Sequence, residues 1–212
     1  MNTHRHILIF DPVPYANGSK QVTHQVLELI NQKDHKITVL TANKSVWQDI
    51  PNADLVNLRV PNWLNQSQSK MGHWLIQYYF CIMLFVTRLL HGRIDSAVAA
   101  AAPSIDIPLY LMHWLFRYEI IQLIHAPVGW SRAIGYCLTH ADRVFYPPIA
   151  RSSMLEAIAC QWEKMPNSLA HQQARLEMKR DKYTPFDRDV RAHVRLISAF
   201  SHCQQLDSLI KH

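Results

Sequence analysis

The sequence predicts an α/β fold: a doubly wound, mostly parallel Rossmann-like sheet with a C-terminal helical tail. Three observations carry this prediction. Short, uninterrupted apolar runs read as strands covered on both faces, helix-period segments alternate with them up to about residue 150, and turn residues close each run. The length, 212 residues, suits one domain with an appendage, and a composition 49% hydrophobic and 18% charged can bury a core.

The elements follow in order. Residues 6–10 (HILIF) form a central strand ending at Asp11-Pro12. Pro12, Pro14, Asn17 and Gly18 make a loop, and Ser19 is placed to cap a helix with Val22, Val26, Leu29 and Ile30 on one face. Residues 36–41 (KITVLT) complete a right-handed βαβ unit. A third strand is expected over 55–60, then a polar loop and a long helix over 72–91. A small-residue strand over 97–101 follows, whose alanines let a helix or ligand come close. A helix over 104–117 tolerates Pro108 in its first turn. Residues 119–125 (EIIQLIH) are a further buried strand, 132–139 a helix and 141–146 (ADRVFY) a last strand. From about Ile149 the pattern is helical only, over 151–162, 169–182 and 187–209. The expected division is thus a sheet domain over 1–150 and a helical extension over 151–212 packed on it.

Charge excludes some classes of function. The net charge of +6 is spread evenly, so it forms no basic arm or tail, and nucleic-acid binding is not expected. A mildly basic surface also suits anionic lipid headgroups. Cys81, Cys137, Cys160 and Cys203 are far apart and form no C-x-x-C pair, which reads as reduced thiols in a cytoplasmic protein. Met1 to His6 is polar and leads straight into a strand, so no signal peptide is expected. The 14-residue uncharged run over 74–87 meets Arg88 and falls short of the roughly 20 residues a bilayer requires. A buried or membrane-surface helix is the expectation there.

In a doubly wound sheet, ligands bind beyond the carboxyl ends of the strands. That rule selects Asp11, Tyr15, Asn17, Gly18, Ser19 and Lys20 after the first strand, and His125 after the fifth. Gly18 and Ser19 can present backbone N–H groups at a helix N-terminus to an anionic or hydroxyl-rich ligand, although Asn17-Gly18 also serves as a plain tight turn. The loop is neither G-x-G-x-x-G nor G-x-x-x-x-G-K-[ST], so no dinucleotide or nucleoside triphosphate cofactor is expected. His125 can hydrogen-bond a sugar or act as acid or base near neutral pH, or serve the core alone. The remaining histidines lack metal-ligand spacing with Cys, Asp or Glu, and no metal is expected.

Three segments together carry a family resemblance: ILIFDPVPYANGSKQVTHQVLELI, IDSAVAAAAPSIDIPLYLMHWLFRYEIIQLIHAP and LTHADRVFYPPIARSSMLEAI. In order and spacing, residues 5–160 resemble the acceptor-side N-terminal domain of family 4 glycosyltransferases, one half of a GT-B fold. The resemblance implies that Asn17, Gly18 and Ser19 lie near the donor phosphates and the acceptor hydroxyl, with Tyr15 and Lys20 in the same substrate-binding set. It implies that His125 contacts the transferred sugar or orients the acceptor, that Asp142 of the "AD-x-V" element is structural, and that the helix over 74–90 lies on the acceptor side. The sequence departs from the family in having no E-x7-E signature. Glu156 and Glu163 are separated by six residues, and no glycine follows Gly135. A nucleotide-sugar donor is therefore expected only with a second domain or a donor-domain partner chain.

The implied function is transfer of a hexose from a nucleotide-sugar to a lipid-linked or polysaccharide acceptor, in the cytoplasm or peripherally on the inner face of the membrane. A non-catalytic module that binds a glycan, a membrane or a partner protein is the alternative, and a different Rossmann-like enzyme with a small ligand at the same edge is a third.

Overall fold

The computed structural model describes residues 5–14, 20, 23–24, 35–60, 70–162 and 167–185. The described residues form seven strands: β1 His6–Asp11, β2 Lys36–Thr41, β3 Ala53–Asn57, β4 Ser96–Ala99, β5 Glu119–Leu123, β6 Arg143–Tyr146 and β7 Tyr183–Pro185. All pair in parallel, in the order β3-β2-β1-β4-β5-β6-β7. Five helices accompany them: α1 Lys70–His91, α2 Ile107–Phe116, α3 Arg132–His140, α4 Arg151–Ala159 and α5 Asn167–Glu177. The expected α/β doubly wound sheet is the observed one.

Alternation along the central strands divides the core in two. From β1, Leu8 and Phe10 join a cluster with Phe80 and Leu84 of α1, Leu109 and Tyr110 of α2, Leu138 of α3, Met154 of α4 and Ala174 of α5. Ile7 and Ile9 point the other way, to Ile37, Val39, Trp47 and Ile50. His24 stacks on Trp47, with ring centroids 6.2 Å apart, so the helical residues Lys20, Thr23 and His24 belong to this second face. Helices thus cover both sides.

Strand register at the amino edge is held by a device used twice. Asp95, just before β4, accepts the His6 amide on Oδ2 at 2.9 Å, while its own N–H donates to the His6 carbonyl. Asp142, just before β6, accepts the Ile120 amide at 2.7 Å, while its N–H donates to the Ile120 carbonyl. Each carboxylate satisfies a backbone donor of the neighbouring strand, and a one-residue slip would break both bonds. Asp142 is therefore a structural residue. Glu119 completes this edge, accepting from Arg143 Nε at 2.9 Å and lying 3.7 Å from the Arg5 guanidinium.

Two expectations need correction. The region after residue 150 is not helical throughout, because Tyr183–Pro185 adds β7 to the sheet. Tyr183 is buried and its hydroxyl donates to the Leu138 carbonyl, so tertiary contacts override the helical reading of 169–182, which ends at Glu177. The third strand starts at Ala53 and ends at Asn57 instead of running over 55–60, since pairing with β2 is complete at Thr41. The long helix expected over 72–91 is α1, which starts two residues earlier, at Lys70. α1 has 22 residues and is long and apolar enough, by length and composition alone, to cross a membrane. Only one side of it, with Phe80, Leu84 and Thr87, is sealed against the sheet. The helix expected after Ser19 and the one over 187–209 lie outside the described residues.

The crossing of α3 and α4 depends on one glycine. Gly135 of α3 faces α4, and a Cβ there would collide with the backbone carbonyl of Ala157, which cannot move without shifting the helix. Gly135→Ala is therefore expected to destabilise the chain by about 1–3 kcal/mol. Urea unfolding should show a lower midpoint with an unchanged slope.

Candidate functional site

The strand order sets the location. The chain winds from β1 through β2 to β3 on one side, then returns to place β4 on the other side of β1. The connections leaving the carboxyl ends of β1 and β4 diverge, which opens the crevice where open α/β sheets bind ligands. Two buried acids stand at this point, Asp11 at the end of β1 and Asp106 in the loop after β4.

Asp11 is the hub of the β1 side. Its Oδ2 receives the Lys20 ammonium, the Thr41 hydroxyl and the Trp47 indole N–H, each at 2.8 Å. Its backbone carbonyl accepts the Ala42 amide at 3.0 Å. Lys20 also donates to the Val13 carbonyl. Asp11 and Lys20 are each 3% exposed at the side chain, so this is a buried ion pair with further hydrogen bonds. It ties the start of the first helical segment to the end of β2 across the loop.

Asp106 organises the β4 side. It precedes α2, yet its carboxylate makes no cap bond to the helix. Instead Oδ2 accepts from Gln122 Nε2 at 3.0 Å. Gln122 also donates to the Ala99 carbonyl at 3.2 Å, and its Oε1 accepts the Tyr110 hydroxyl at 2.7 Å. All three side chains are buried. The Cys137 thiol donates to the Pro103 carbonyl at 2.9 Å, fastening the same loop to α3. Asp106 Oδ1 is buried with no hydrogen-bond partner among the described residues. Burial pushes the Asp106 carboxyl up to about 8, with the Asp11 carboxylate adding to the effect against the opposing bond from Gln122. At neutral pH Asp106 is then a neutral acid, and Lys20 balances Asp11. The carboxyl edge between β1 and β4 carries no net negative charge from these three groups, a condition that admits an anionic ligand.

The residues selected from the sequence separate by position. Lys20 is buried and engaged with Asp11 and Val13, which makes it an anchor of the loop. Tyr15, Asn17, Gly18 and Ser19 lie outside the described residues. His125 lies two residues beyond the end of β5, where it was expected to end the strand, because pairing with β6 is complete at Leu123 and Ile124 donates its amide to Phe145. It is partly exposed and shares the carboxyl edge with Asp11, with β4 and its Ala100–Asp106 loop between them. Sequence reasoning missed Asp106, Gln122 and Tyr110. One signal was present: a glutamine inside the apolar run EIIQLIH, on a strand covered on both faces, must have a buried partner.

A pH dependence follows from Asp106. The unfolded chain releases this proton near 3.8 and the folded chain keeps it to about 8, so the stabilising contribution is complete below the first value and is lost as pH rises toward the second. Asp106→Asn mimics the neutral acid. Its stability relative to the parent chain should rise by roughly 5 kcal/mol across that interval, read by urea unfolding at several pH values.

No family model matches the sequence, and no curated protein matches it. Solved structures do resemble it. A glycosyltransferase from Rickettsia africae matches with a TM-score of 0.55 at 11% identity, covering 88% of this chain and 44% of that one. The HepE protein of Anabaena, solved with UDP and glucose, matches with a TM-score of 0.48 at 12% identity, covering 73% and 41%. CetZ of Methanosaeta thermophila matches with a TM-score of 0.39 at 14% identity, covering 82% and 53%. The chain thus spans less than half the length of the first two proteins. At these identities the likeness is one of fold: a parallel, Rossmann-like α/β sheet of the kind that forms one half of a GT-B glycosyltransferase.

Proposed function

We propose that the chain is the acceptor-side half of a family 4 type glycosyltransferase, acting with a donor-binding domain to move a hexose from a nucleotide-sugar onto a lipid-linked or polysaccharide acceptor. The observation that carries this reading is the all-parallel sheet with its switch point between β1 and β4, an arrangement shared with a glycosyltransferase over most of this chain. Charge at that point supports it. The Asp11–Lys20 pair and a neutral Asp106 leave the edge open to a phosphate-bearing ligand, where two free carboxylates would repel it.

In this reading the chain contributes positioning. Residues 15–19, which lead into the Lys20–Asp11 pair, are assigned to the departing phosphate, and His125 is assigned to the acceptor or the transferred sugar from beyond β5. Nucleotide binding and the balance of charge stabilisation fall to the donor domain, on a partner chain or elsewhere in the same protein. The reaction takes place on the cytoplasmic side, where nucleotide-sugars are available.

The test is transfer of label from UDP-[14C]glucose or UDP-N-acetyl-[14C]glucosamine, using this chain co-expressed with the reading frame encoded beside it and a polyprenyl-phosphate-linked acceptor pool. Label should appear in the acceptor fraction. His125→Ala should lower turnover by about 100-fold and Gly18→Val should also lower it, both without a change in the melting temperature of this chain. Normal turnover in both variants would remove the site assignment, and transfer that proceeds equally without this chain would remove the proposal.

A further inference from the structure

We propose that α1 and α2 together form one docking surface for an anionic lipid bilayer, lying in the plane of the interface. The inference does not rest on the glycosyltransferase reading. Twelve of the seventeen exposed large apolar side chains among the described residues belong to these two helices. Trp74, Tyr78, Leu89 and Leu90 of α1 are 63–74% exposed, and Trp114 of α2 is 86% exposed. They lie on one face, because the exposed positions of α1 recur at helical spacing from Met71 to Leu90, opposite the buried Phe80, Leu84 and Thr87. The two helices pack side by side in the same core cluster, and Phe85 meets Phe116 with ring centroids 6.0 Å apart, so the apolar face continues from one helix to the other. A soluble domain rarely leaves so large a contiguous apolar face uncovered.

Charge selects the occupant. Neither helix contains an aspartate or glutamate, while Arg88 lies within α1 and the exposed Arg117 follows α2 directly. The Arg88 guanidinium lies 6.0 Å from the Phe116 ring, on the border of the apolar face. Asp54 meets the end of α1, but it is paired with His91 at 3.2 Å and Lys36 at 4.0 Å. Two copies joined through this face would set like charges together. An anionic headgroup layer complements them, and tryptophan and tyrosine at the rim suit the boundary between headgroups and acyl chains.

The geometry also argues against a span. Phe80, Leu84 and Ile94 bind one side of α1 and its exit to the sheet core, the Tyr79 hydroxyl donates to the Arg59 carbonyl, and the Lys36 ammonium donates to the His91 carbonyl at the helix end. A helix held to the sheet along its length presents only its outer side to lipid. That is the arrangement of an in-plane helix.

Co-sedimentation of the full chain with phosphatidylcholine vesicles, with and without phosphatidylglycerol, tests the proposal. The chain should bind the anionic vesicles in preference to the neutral ones. Trp114→Asp and Leu90→Asp, both at exposed positions, should each weaken binding by about tenfold or more while leaving the circular dichroism and melting temperature unchanged. Arg117→Asn should weaken binding to anionic vesicles alone, by about fivefold. Asparagine tolerates the left-handed backbone at this position, where φ is 53°. Failure of the parent chain to bind anionic vesicles would overturn the proposal, as would unaltered binding by Trp114→Asp. A parent dimer in sedimentation equilibrium that Trp114→Asp converts to a monomer would assign the face to a second copy and overturn it too.

Discussion

One carboxylate determines how the working edge of this fold is assembled. Asp11 ends the central strand and receives, on a single oxygen, a cation from the segment after the loop, a hydroxyl from the end of β2 and an indole from the turn beyond it. None of these partners is near it in sequence except Lys20. The interaction turns the exit of β1 from a simple strand end into a junction between the β1 loop, β2 and the second face of the sheet. A buried ion pair of this kind contributes little net stability compared with well-packed apolar residues, but removing one partner alone leaves a buried charge and costs about 3–5 kcal/mol. Its use here is geometric.

The acids of the sheet divide by edge. At the amino edge, Asp95 and Asp142 accept backbone amides of neighbouring strands, and Glu119 is paired with arginines; these groups hold register. At the carboxyl edge, Asp11 is neutralised by Lys20, and Asp106 is neutralised by retaining its proton. Both carboxyl-edge acids are therefore present without net charge. The small side chains of β4 lie between them. The apolar face of α1 and α2 is a separate feature of the molecule, created by helices that pack on the sheet with one side only.

Much of the fold was legible in the sequence because the strands of a sheet covered on both faces are continuous apolar runs. HILIF and KITVLT could hardly be read otherwise, and both strands lie where that reading puts them, the first extended by Asp11. β7 was not legible. Three residues, YTP, gain their strand conformation from β6 and from the contact of Tyr183 with Leu138, neither of which local pattern reports. The same limit applied at the site. The switch-point rule selected Asp11 and Lys20, but it presented Lys20 as a ligand contact. Only the fold shows that Lys20 is buried against the Asp11 carboxylate and the Val13 carbonyl. Asp106 resembled an ordinary helix-start residue, since its partner Gln122 comes from a strand two elements away in the fold.

The Asp11 carboxylate holds Lys20 and the segment after β1 against the end of β2. Hydrogen exchange with residue resolution, compared between the parent chain and Asp11→Asn, tests this most directly. In Asp11→Asn, exchange should be roughly 100-fold faster at Val13, Lys20, Thr23 and His24 and at Ala42 and Trp47, with the amides of β4, β5 and β6 unchanged. Equal exchange in the two proteins, or a uniform increase across every strand, would contradict it.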